Sequence, residues 1–190
     1  MTTKLLTGSA ILVLTVVVLF AGRQAISDEG EDYAEQTESD FAGTDVAPVT
    51  NALYKDECGS CHLAYPPGLL PAASWTAIMT GLSDHFGENA EVAPDTEQRL
   101  TEYLTSNSAD QVRGERSRKV MRSLTHMQAP LRITELPYIV RKHDELSREM
   151  VQDNPEVRSL SQCNTCHAKA EEGIFDEDQV VIPGFPNWDD

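Results

Sequence analysis

Residues 54–62 read YKDECGSCH, and residues 163–167 read CNTCH. Each stretch sets two thiols three positions apart with a histidine directly after the second: Cys58, Cys61 and His62, then Cys163, Cys166 and His167. That spacing lets both sulfurs form thioether bonds to the vinyl groups of a haem while the imidazole reaches its iron. A structural zinc site would bring its Cys-x-x-Cys pairs within about 15–20 residues of each other. Here about 100 residues separate them. A thioredoxin-like dithiol would need a βαβ pattern, which the sequence lacks. The motifs use all four cysteines, so no disulfide framework remains. Two covalently bound haem c groups are expected, with His62 and His167 as the first metal ligands.

The second ligand to each iron has to come from elsewhere in the chain. Residues 74–86 read as a helix with Trp75, Ile78, Met79, Leu82 and Phe86 on one face, capped by Ser74 and stopped by Gly87. His85 lies at its end, 23 residues after His62. Met79 is the rival, since methionine also ligates haem iron. Pro137 suits the first turn of a second helix, in which Leu136, Ile139, Val140, His143 and Leu146 recur at spacings of three and four. His143 lies on that stripe, 24 residues before His167. His126 and Met150 are the substitutes there. The metal set expected from spacing is His62 with His85 and His143 with His167.

Around these motifs, residues 54–62, 75–89, 132–143, 163–167 and 182–185, the sequence resembles the bacterial dihaem cytochromes c, the type that partners a small oxygen-binding haem protein. The likeness runs from about Leu53 to Phe185. It implies an N-terminal half like a small class I cytochrome c, a less familiar C-terminal half, and histidine on both faces of each iron. His85 would then serve the first haem and His143 the second.

The expected fold is mainly α, with two small helical haem-binding domains over residues 49–110 and 111–190. No sustained period-two pattern argues for strands. Domains this small bury little apolar surface, so two haems would serve as core as well as redox groups. Residues 1–27 read as a signal peptide or membrane anchor: Lys4 and Arg23 bracket an uncharged run over residues 5–22. Its length lies between a signal core and a full span, and no small-x-small cleavage site follows cleanly, which favours a retained anchor. Residues 28–48 follow as a disordered tether, with eight carboxylates and no basic side chain between positions 28 and 45. The first motif lies nearest this tether, the second nearest the C-terminus. Export puts the protein in the periplasm or another extracytoplasmic space, where c-type haem is attached.

The net charge of −16 excludes nucleic acid as a natural partner and favours redox proteins with a basic docking surface. Nine of the fifteen basic residues lie between Arg113 and Arg148. Arg132 and Arg141 flank the second ligand helix and are candidates for haem propionate contacts. No serine triad, phosphate loop or paired-carboxylate site stands in a supporting context. An electron carrier with two low-potential bis-histidine haems is therefore expected, not an enzyme. The alternatives are a haem enzyme or gas sensor with one open iron site, and a haem subunit of a membrane respiratory complex.

Overall fold

The computed structural model describes residues 44–124, 130–186 and 188. The run over residues 5–22, most of the tether and His126 lie outside them. Among the described residues no helix is long and apolar enough to cross a membrane. The described residues all belong to one compact unit.

The architecture is helical, with no strand among the described residues. Helix α1 (Ala52–Cys58) starts at Asn51, whose side chain accepts from the Tyr54 N–H at 2.9 Å, and ends on the first haem-attachment cysteine. Helix α2 (Ala72–Thr80) packs against α3 (Pro94–Ser106). In α3, Pro94 occupies the first turn, where its missing N–H costs nothing, and Asp95 and Glu97 sit at the positive end of the helix dipole. Leu100 and Leu104, one turn apart, are each 1% exposed and form the face that meets α2. Helix α4 (Glu115–Ser123) buries Ser117 and Val120 against the short 3₁₀ turn Pro67–Leu69 and against α5 (Pro137–Lys142). The four-residue α6 (Cys163–Cys166) carries the second attachment motif.

A single hydrophobic cluster runs through residues on both sides of position 110, from Val46, Tyr54 and Leu70 to Val120, Tyr138 and Phe175. Hydrogen bonds also cross that position. Ser117 Oγ donates to the Gly68 carbonyl at 2.8 Å, and the Tyr65 hydroxyl donates to the Ser161 carbonyl at 2.7 Å.

Residues 44–48, expected at the end of the tether, belong instead to this fold. Val46 is buried, and the Asp45 and Val46 N–H groups both donate to the Gly173 carbonyl. Asp45 Oδ2 accepts from the Phe175 N–H at 2.6 Å and pairs with Arg116 at 2.9 Å. Although the first motif follows the tether in sequence, this junction is fastened beside the loop that follows the second motif. Gly173 allows it: its φ is +74°, and a Cβ there would stand 2.1 Å from the Val46 carbonyl oxygen.

Candidate haem centres

The helix expected over residues 74–86 is shorter than its apolar stripe. α2 stops at Thr80, where Gly81 ends it by donating its N–H to the Ile78 carbonyl, and a 3₁₀ turn follows over Leu82–Asp84. Ser74 is no cap: it lies inside α2, buried, and its hydroxyl donates to the Pro130 carbonyl at 2.9 Å. The start of α2 is instead held by Asp110, whose Oδ1 accepts from the Ala72 N–H at 2.8 Å. His85 therefore stands on a tight turn. Its N–H and carbonyl bond to Glu88 across Phe86 and Gly87, both at positive φ (59° and 103°). Two consecutive residues of that hand make the primed turn that closes two-residue hairpins. The Gly87 N–H also donates to Asp84 Oδ1 at 3.0 Å.

This turn carries His85 to His62. Their ring centroids lie 6.3 Å apart, with the planes inclined by 23°. At the second motif's partner, α5 begins with Pro137 as expected and ends at Lys142, so His143 follows directly on its last turn. Its ring centroid lies 6.2 Å from that of His167, with the planes at 74°. Two imidazoles on one metal have bonds of ~2.0 Å, and each bonded nitrogen lies ~1.2 Å from its ring centre, which gives a centroid separation of ~6.4 Å. Both pairs have that spacing.

The ring protons fit as well. His62 Nδ1 lies 2.7 Å from the Leu63 carbonyl oxygen, and His143 Nδ1 lies 2.8 Å from that of Ile139. A carbonyl only accepts, so in both rings Nδ1 holds the proton and Nε2 keeps its lone pair for a metal. Burial first, then His143 and Arg116, lowers the His167 pKa to about 4. Its ring stays neutral at ordinary pH, the form that ligates. The buried His167 Nδ1 has no hydrogen-bond partner within the protein. Burial, the His62 ring and Arg132 likewise lower the His85 pKa.

The thiols lie against apolar surroundings. Burial pushes Cys58 and Cys163 up to about 11, and raises Cys166 too. Thioether attachment leaves no charge on sulfur, which suits such surroundings. Among the described residues no group of three or more His, Cys, Asp or Glu side chains could hold a metal ion. Each centre instead pairs two histidines with two cysteines, the donor set of a bis-imidazole haem c. Around the second centre, His143, His167, Cys163 and Cys166 line a cleft open to solvent, whose walls include Leu160 and Ile182. Its lining is mainly apolar, as a haem's faces require.

The sequence pattern of the family described as dihaem cytochrome c matches residues 54–175. The chain belongs to that family. A solved dihaem cytochrome c from Shewanella baltica is 50% identical, with a TM-score of 0.61, and the match covers 73% of this chain and 98% of that one. One from Rhodobacter sphaeroides is 44% identical, also at a TM-score of 0.61, with 68% of this chain and all of that one covered. No curated protein sequence matches. As a dihaem cytochrome c, the protein carries two covalently bound c-type haems, and the family's role is electron transfer.

The remaining candidates fall as follows. Met79 is buried in the core shared with Trp75 and Leu82. Met150 lines the cleft of the second centre. Arg132 is half exposed, 3.7 Å from Glu135, with its guanidinium 4.0 Å over the Phe86 ring. Arg141 donates to the Pro137 carbonyl at 3.2 Å. The arginine most enclosed by a haem cleft is Arg116, not singled out from the sequence. It donates to the Tyr138 hydroxyl and the Phe175 carbonyl, pairs with Asp45, and its side chain is 16% exposed. A signal for it existed: on α4 it lies four residues before Val120, the buried apolar residue of a helix that is otherwise charged or polar apart from Met121.

Proposed function

We propose that this dihaem cytochrome c is an electron carrier whose first haem is ligated by His62 and His85 and whose second is ligated by His143 and His167. The observation that carries this reading is the pair of imidazole couples at 6.3 and 6.2 Å, the spacing one metal imposes on two rings. When bound, the haems supply a one-electron iron couple. With His62 and His85 at one haem and His143 and His167 at the other as nitrogen donors, the irons would have low potentials and no position open to a substrate or gas. Hydrogen bonds from His62 and His143 to backbone carbonyls fix the rings and raise their basicity. Cys58, Cys61, Cys163 and Cys166 keep each haem in place through every redox cycle. Arg116, with the more exposed Arg132 and Arg141, supplies cations near the two sites for the propionate charges.

The partners in this reading are extracytoplasmic redox proteins with basic docking surfaces. Support comes from the net charge of −16 and from the acidic excess over residues 1–110, where 17 acidic side chains face 4 basic ones. The apolar run over residues 5–22 would direct export and provide an anchor to the inner membrane.

Carbon monoxide added to the reduced holoprotein tests the closed coordination. No binding at either haem is expected. Rapid binding at one of them would replace the carrier by an enzyme or gas sensor.

A further inference from the structure

The charges around the two centres are arranged differently. At the first, the Arg132 guanidinium lies over Phe86, beside His85, and pairs with Glu135 at 3.7 Å. Those two side chains are 48% and 58% exposed, so water and salt screen them. At the second, Arg116 lines the cleft that His143 and His167 share and pairs with Asp45 at 2.9 Å, with the two side chains only 16% and 34% exposed. Asp45 Oδ2 takes the Phe175 N–H at 2.6 Å as well as the guanidinium, which lies 5.6 Å from the Phe175 ring. That ring in turn meets His167 at 5.4 Å. Both charges reach the ligand. Burial and the His143 ring lower the His167 pKa to about 4, Arg116 adds to the lowering, and Asp45 opposes it. Asp45 itself precedes residues 54–175, which carry the family pattern, and comes in on the segment that the Gly173 carbonyl fastens.

We propose that Asp45 is a positioning residue for electron transfer: by holding Arg116 and partly neutralising it, Asp45 sets the potential of the second haem and leaves that of the first in place. This inference rests on the bis-histidine reading and deepens it. Reduction takes one electron from a redox partner and removes one positive charge from the ferric haem. A cation nearby disfavours the ferric form and raises the potential, whereas an anion lowers it. In a mainly apolar cleft each charge acts more strongly than it would in water. Arg116 alone raises the potential of the second haem. Asp45 offsets part of that rise, and its bonds fix where the guanidinium stands. Two irons with the same donor set then differ through a charge pair that, among the described residues, is enclosed beside one of them.

Potentiometric titration of the full chain carrying both haems, followed in the visible bands, is the test. Asp45→Asn removes the charge but keeps an oxygen for the Phe175 N–H, and it is expected to raise one of the two potentials and leave the other in place. In a His85→Met background, where the wave of the first haem is moved upward, the wave that Asp45→Asn shifts is expected to be the other one. Arg116→Gln is expected to move that same wave downward, and the double variant to fall between the two single ones. Shifts in the same direction from both variants would mark a loosened cleft and overturn the inference. So would two waves that move together, or no movement on Asp45→Asn. Near-infrared magnetic dichroism of the unaltered protein separates the underlying reading: bis-imidazole bands at both irons leave it standing whatever the potentials do, and a thioether-ligation band would overturn it. Should Arg116→Gln fail to fold, Asp45→Asn, alone and with His85→Met, decides.

Discussion

At the scale of single residues, His85 and His143, the proposed second ligands, are held by local backbone and not by a long helix. His85 depends on a primed turn, and Gly87 at φ +103° is the residue that permits it. Any Cβ at that position is strained whatever the space around it. Gly87→Ala is expected to destabilise the oxidised protein by about 1–3 kcal/mol, read from thermal unfolding. His85→Met is expected to raise the potential of one haem and leave the other in place, because a Met/His pair favours the ferrous state over two imidazoles. Potentiometric titration followed in the visible bands checks it. His143→Ala should open the second iron to carbon monoxide, and the same titration with the gas present should show one haem responding.

Arg116 shows how a single side chain can serve both the core and a site. Its hydrogen bonds tie Tyr138, Phe175 and Asp45 together. Arg116→Ala removes one partner of a partly buried charge pair and takes a donor from the Tyr138 hydroxyl and the Phe175 carbonyl, while Asp45 keeps the Phe175 N–H. A loss of about 2 kcal/mol is expected from denaturant titration of the holoprotein. A change below about 0.5 kcal/mol would mark it as an ordinary surface arginine.

At the scale of elements, the sequence made some features legible and concealed others for physical reasons. The start of α5 was readable because proline fixes φ and lacks an N–H, which suits a first turn. The attachment motifs were readable because their chemistry requires adjacent positions. The end of α2 was not, because the apolar stripe continues past Gly81 through Leu82 to Phe86, and periodicity alone does not register one helix-breaking residue. Phe86 is 43% exposed, beneath the Arg132 guanidinium, so its place on the stripe was accidental. Ser74 had the right residue type for a cap, but the cap came from Asp110, 38 positions away, and no local pattern carries that information. Gly173→Ala tests the other long-range joint. Its Cβ would meet the Val46 backbone at 2.1 Å, at a φ that disfavours alanine, and a loss of about 2–3 kcal/mol is expected in thermal unfolding.

At the scale of the molecule, the two haem centres share one core. Tyr65, beside His62, bonds to Ser161, two residues before Cys163, and Ser117 bonds to Gly68. Unfolding followed at the two haems by their separate signals, and by far-ultraviolet dichroism, is therefore expected to give one coincident transition. Two separated transitions would show that the halves fold independently. Charge acts at the same scale. Electron exchange with a small basic redox protein is expected to slow steeply as ionic strength rises, and stopped-flow rates at low and physiological salt measure it.

The bond between Asp45 and the Gly173–Phe175 loop joins residues about 130 positions apart. A chain is made from its N-terminus, so the segment around Val46 leaves the ribosome long before the loop that covers it exists. Contacts of such separation form late, since the intervening chain must be ordered first. The contact that fastens residues 45 and 46, just ahead of the Cys58–Cys61 stretch, therefore waits until the Cys163–Cys166 stretch and the loop after it are present. Assembly order is in this way written into the contact map: the earliest-made part of the fold is among the last to be locked.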